Sequence, residues 1–301
     1  MSLSSRVASV SNIVTVNHKT LGAHLPAGAV GYTVFWSLTG EVPVASLAAS
    51  WDAAGLNPDL LPAAPSFAAS FSRACSAEKS DTRLVRPVKG GFAFVRETPD
   101  NKGKVTHDVE AYVYHDATHN VFKSEAGTLT QAETDALQRK VEAAVAHHRA
   151  HYAINDLSLW VTTRVKAQRA VALRPTGGFY FVPPSGTATI DAMKAALAPV
   201  GVTIFVMASV HNDTAAEAIV AALASEVETM ASKVTGEIDA EEVGSRALKS
   251  REDAARELAS KVEHYESVIG QSLATIQSKL GGLQHSIVVA MAKADSDGDA
   301  E

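Results

Sequence analysis

The chain has 301 residues, 46% of them hydrophobic and 20% charged, with 27 Lys and Arg against 33 Asp and Glu for a formal charge of −6. This is the composition of a folded chain long enough for two cores. The acidic balance counts against non-specific attachment to phosphate backbones, which draws its affinity from clustered Lys and Arg. The single cysteine, Cys75, allows no internal disulfide. The opening MSLSSRVASVSNIVTV lacks the apolar core of a signal sequence, and the longest apolar stretch, Val200 to Val210, falls well short of the roughly 18 residues of a membrane helix. A cytoplasmic protein with no membrane partner is the expectation.

In chain order, the apolar run Gly28 to Leu38 and the segment Val44 to Leu56, with Leu47, Trp51 and Leu56 on one face, predict two short helices around a Thr39-Gly40-Glu41 turn. Pro65-Ser66 opens a third helix with Phe67, Phe71, Ala74 and Cys75 on one side. Leu84 to Val95, LVRPVKGGFAFV, reads as a hairpin whose Gly90-Gly91 turn needs positive φ. Helix, turn, helix, helix, ribbon is the order of a winged-helix domain, and Val109 to Tyr114 returning through Val121-Phe122 extends the wing. Thr130 and Glu133 form a capping box for a linking helix to Tyr152. Asp156 to Arg169 fits a helix or an extended segment equally, being rich in β-branched residues.

The hairpin motif returns as ALRPTGGFYFVP, Ala172 to Pro183, now with Gly177-Gly178 at the turn. A helix from Thr189 to Leu197, a strand from Val202 to Ala208 and a helix from Asp213 complete a ββαβα unit. Beyond Ala215 the chain reads as helical, with Gly236 and Gly244 as breaks. Apolar residues recur at Leu258, Val262, Tyr265, Ile269, Leu273, Ile276, Leu280, Leu283 and Ile287, a coiled-coil seam with a stutter at Ile269 to Leu273. The expected fold is therefore α+β: a winged-helix-like module with β-hairpins over 1–125, linking helices over 126–170, the ββαβα unit over 171–235, a helical oligomerisation region over 236–293 and an acidic tail over 294–301.

Few residues suggest chemistry. His147 and His151 stand one helical turn apart beside His148, but the Glu of HExxH is missing, and a solvated helix face is the better reading. His115 and His119 bracket Asp116 in a turn, where such residues are common for backbone reasons. Asp295, Asp297 and Asp299 imitate the start of a calcium loop without its closing Glu. The two Gly-Gly pairs precede strands, unlike phosphate loops, and Cys75 lies on an apolar helix side. No catalytic, cofactor or metal residue is assigned. On the winged-helix reading, Arg73 would contact a base, and Arg86 and Lys89 would contact phosphates.

The doubled RP-GG-aromatic hairpin and the WDAAGLNPDLLP segment, Trp51 to Pro62, resemble an uncharacterised family of bacterial and phage proteins of about this length. The resemblance spans most of the chain and transfers no catalytic residue. The function expected first is a non-enzymatic interaction or assembly protein, of phage or mobile-element origin, that meets another copy or a helical protein partner through the nine seam residues. A winged-helix DNA-binding or regulatory protein dimerised by the coiled coil is the alternative. An enzyme with an unrecognised His and Asp site is a third.

Overall fold

The computed structural model describes residues 28–99, 104–118, 120–174, 177–210, 212–240 and 243–298. The N-terminal segment before residue 28, His119 and the end of the acidic tail lie outside the described residues.

The first part comprises β1 (Ala29–Leu38), β2 (Val42–Pro43), α1 (Val44–Ala53), α2 (Phe67–Ser76), β3 (Arg83–Val88), β4 (Gly91–Pro99), β5 (Val105–Asp116) and β6 (Val121–Ala126). There follow α3 (Gln131–Ala150), β7 (His151–Tyr152), α4 (Ile154–Lys166), β8 (Val171–Ala172), β9 (Tyr180–Val182), α5 (Thr187–Leu197) and β10 (Val202–Val210). Three long helices end the chain: α6 (Asp213–Asp239), α7 (Ser245–Ile269) and α8 (Ala274–Gly298). The molecule is mixed α+β with antiparallel sheets.

Gly28 to Leu38 corrects the first expectation, because it holds a strand where a helix was expected. Tyr32 and Val34 are buried in a core that Trp36 and Leu38 also border, so the alternation has period two. The segment AVGYTVFWSL is rich in β-branched and aromatic residues, which suit a pleated surface. The winged-helix order thereby loses its first helix. β1 pairs instead with β10 on one side and β9 on the other, giving the order β10-β1-β9-β8. The ββαβα order of β8, β9, α5, β10 and α6 is present, yet its sheet is completed by a strand from the N-terminal segment.

One face of this sheet packs on α1, α4 and α5 through Val34, Trp51, Leu157, Ile190 and Leu197. The open choice over Asp156 to Arg169 resolves to the helix α4. Its buried Leu157, Trp160, Val161 and Val165 follow helical spacing, and burial outweighs the β propensity of its branched residues.

The second sheet runs β3-β4-β5-β6 in order. Its inner face, with Val85, Phe94 and Val113, is covered by Phe71 of α2 and by Leu137 and Val141 of α3. The capping box of Thr130 and Glu133 starts α3 as expected. In the β3-β4 turn only Gly90 has positive φ, at 78°, and Gly91 is already in β4. In the second motif both Gly177 and Gly178 have positive φ.

Helices α6, α7 and α8 form a bundle that also covers Val171 and Phe181 on the other face of the first sheet. Helix α6 runs through Gly236, which is no break, whereas Gly244 does precede α7. The stutter in the seam is the turn between two helices. Gly270 ends α7 in the left-handed conformation, with φ 65°, and α8 begins at Ala274.

Candidate interaction surface

The nine residues expected at a seam between chains are all buried within this one chain, from Val262, Tyr265 and Ile287 at 0% exposure to Ile276 at 6%. Leu258 to Ile269 lie on α7 and Ile276 to Ile287 on α8, with Leu273 in the turn between them. All face the bundle interior. Polar groups fasten the turn. The Glu266 carboxylate accepts from the Leu273 N–H at 2.6 Å and from Gln277 Nε2 at 2.9 Å, meeting donors at the start of α8. Tyr265 donates its hydroxyl to the Arg169 carbonyl at 2.9 Å, joining the bundle to the segment after α4. The apolar side chains of the seam are thus covered within the chain itself.

The structure does not gather the residues expected to touch DNA. Arg73 Nη2 lies 2.7 Å from Asp156 Oδ2 on α4, and the apolar side of α2 is packed into the core under the second sheet. Arg86 and Lys89 are exposed. Val85 points into the core beneath the helices, so its neighbour Arg86 points to the opposite face, away from Arg73. Two further cations of the ribbon, Arg83 and Arg96, are engaged by the fully buried Glu110 carboxylate. Pairing of this kind is invisible in a sequence, where all four cations look equally free.

His147 Nε2 lies 2.6 Å from Glu41 Oε2, and the His147 and His151 rings stack at 4.2 Å. The hydrogen bond from His147 holds the Glu41 carboxyl below its ordinary value. Burial holds the His148 imidazole below its ordinary value and leaves its Nδ1 without a partner. Among the described residues no group of three or more His, Cys, Asp or Glu is placed to hold a metal ion. Cys75 is fully buried, and burial pushes its thiol up to about 12, which keeps it protonated and unreactive at neutral pH.

The surface that sequence reading missed is the far edge of the first sheet. β10 pairs with β1 from Val202 to Val210, and no described strand lies on its other side. Val202, Ile204 and Val206 turn toward the core, and Thr203, Phe205, Met207 and Ser209 take the opposite face. Phe205 and Met207 are 42% and 48% exposed, and Val210 at the strand's end is 55% exposed. Phe205 stacks on Phe35 at 4.8 Å, and Phe35 lies 5.9 Å from Phe179, so an aromatic row runs from β10 over β1 to the residue before β9. The nine-residue strand VTIFVMASV has no charged residue and no proline, the usual guards of a free edge. That absence was legible in the sequence. What was not legible is which strand would lie at the edge.

The profile of a family of unknown function (DUF6744) fits residues 29–296. No curated protein and no solved structure matches.

Proposed function

Since the chain belongs to this family of unknown function, whose description carries no activity, we propose from the molecule's own surfaces that it is a non-enzymatic assembly protein that pairs with a second copy edge to edge through β10. The observation that carries this reading is the outer edge of β10, uncharged and without a strand partner among the described residues, with its open apolar face. Strand pairing satisfies the outward N–H and C=O groups of an edge, and the apolar face beside it supplies burial.

The strand is complementary to itself. An antiparallel pair about a two-fold axis at Val206 sets Phe205 against Met207 of the second copy, Thr203 against Ser209, and Val202 against Val210. Apolar residues thus meet apolar ones and hydroxyls meet hydroxyls. No like charges are opposed, and the aromatic rows of the two copies would continue across the junction.

Light scattering on the purified protein tests this reading, with a dimer expected. Phe205→Lys and Met207→Lys change exposed positions, so both should fold with a melting temperature near that of the parent and run as monomers. A parent that is monomeric at high concentration, or variants that stay dimeric, would refute the edge pairing.

A further inference from the structure

Two adjoining cavities, of 590 and 410 Å³, lie where α6 and α7 meet β8 and the end of α4, and Lys166, Glu226, Met230 and Ala254 line both. Together they form one cleft. Its walls carry Lys166, Arg169, Arg174, Lys233, Arg251 and Lys261, against the carboxylates of Glu226 and Glu257. Six cations stand against these two carboxylates and that of Glu237, which pairs with Arg251 and Lys233, in a chain whose overall charge is −6, so the cleft is locally basic.

Several of these cations are held in place. Arg251 makes two hydrogen bonds to Glu237, and Lys261 Nζ is bound by both Glu226 oxygens and by the Ala170 carbonyl at 2.8 Å. Lys166 and Arg169 are different. Both are exposed at the cleft, and neither side chain makes a hydrogen bond or ion pair among the described residues. Arg169 has φ 58°, a left-handed conformation uncommon for a residue with a side chain. The residue lies in the turn that ends α4, where a left-handed residue is common, and its carbonyl accepts from the Tyr265 hydroxyl. Lys261 is mostly buried, and burial, aided by the nearby Lys166 charge, holds its ammonium below the ordinary lysine value against the pull of Glu226. An anion between Lys166 and Lys261 would relieve that like-charge opposition.

The larger cavity has an apolar floor, formed by Ala172, Ala218, Ala221 and Ala222 with Met230 at one side. Side chains this small leave a flat bed beside the cations. Its volume lies in the range of small-molecule sites.

We propose that this cleft binds a nucleotide, with phosphates held by Lys166 and Arg169, beside the Lys261 charge that Glu226 and Ala170 already hold in place, and the planar base laid on the alanine floor. Small phosphorylated ligands fit better than a polyanionic strand, because the cations ring a bounded cavity. Only a ligand with both an anionic and a flat part uses the two halves of the cleft. The site is separate from the β10 edge and stands or falls independently of the pairing proposed there.

Titration calorimetry of the full chain with adenosine and guanosine triphosphates, and with inorganic triphosphate alone, tests this. We expect one nucleotide per chain, bound more tightly than inorganic triphosphate. Lys166→Glu with Arg169→Glu should weaken binding at least about tenfold while leaving the melting temperature unchanged, since both side chains are exposed. Ala222→Trp, which fills the bed, should lower nucleotide affinity to that of triphosphate. Failure of either nucleotide to bind at millimolar concentration would overturn the proposal. So would binding that the charge reversals leave intact, or retention of single-stranded oligonucleotide alone.

Discussion

Gly90 and Gly91 sit side by side and are required for different physical reasons. Gly90 has φ 78° with open space where a Cβ would stand, so its requirement is conformational. Gly91 has ordinary strand geometry, but a Cβ there would lie 2.2 Å from the Val113 carbonyl oxygen and 2.9 Å from the Tyr114 ring. Its requirement is close approach between strands. Gly90→Asn should therefore melt within a few degrees of the parent, because Asn tolerates the left-handed region, whereas Gly91→Ala should lower stability by about 2 kcal/mol or more. Thermal melts followed by circular dichroism separate the two. Equal losses at both sites would show that φ governs both.

At the scale of elements, the bundle shows how one seam serves a single chain. The spacing of Leu258 to Ile287 is that of a helix pair, and a seam of this kind satisfies itself as soon as a turn lets the chain reverse. Gly270 supplies that turn, and Glu266 meets the free donors on the far side. Leu280→Asp would then place a carboxylate at a position only 1% exposed, facing Val262 and Tyr265 in the same core. The expected outcome is a loss of several kcal/mol in unfolding free energy, with no change of association state in the molecules that stay folded. Denaturant titration beside light scattering reads both. A folded, stable variant that turned from dimer to monomer would show instead that the seam joins two chains.

At the scale of the whole molecule, acid sensitivity is spread over distant parts of the fold. Burial holds the imidazoles of His148, on α3, and of His264, on α7, below their ordinary value. A histidine with a lowered folded-state value takes up its proton more readily when unfolded. Its contribution to stability is therefore complete above the unfolded value, near pH 6.5, and is lost as pH falls from there through the lower folded value. The melting temperature should thus fall between pH 7 and pH 5. His148→Leu with His264→Leu should flatten that slope, and an unchanged slope in the double variant would refute this assignment. The half-buried Asp191, whose carboxyl is raised by its partial burial, acts with the opposite sign and at lower pH.

Local pattern determined much of this protein: the capping box at Thr130, the β3-β4 ribbon, the ββαβα order and the long helices with their buried stripe. Each rests on interactions between residues near in sequence or on a periodicity that any partner would satisfy. Only the tertiary structure decided that Gly28 to Leu38 is a strand, because β10 and β9, more than 140 residues distant, supply the hydrogen bonds that make it one. It likewise decided that the seam closes within the chain, since an apolar stripe is indifferent to whether its partner is the same molecule or another. The two surfaces of interest, the β10 edge that no described strand covers and the cation-lined cleft, arise from strand order and helix docking. No window of sequence contains either, because each is defined by what the rest of the fold leaves uncovered.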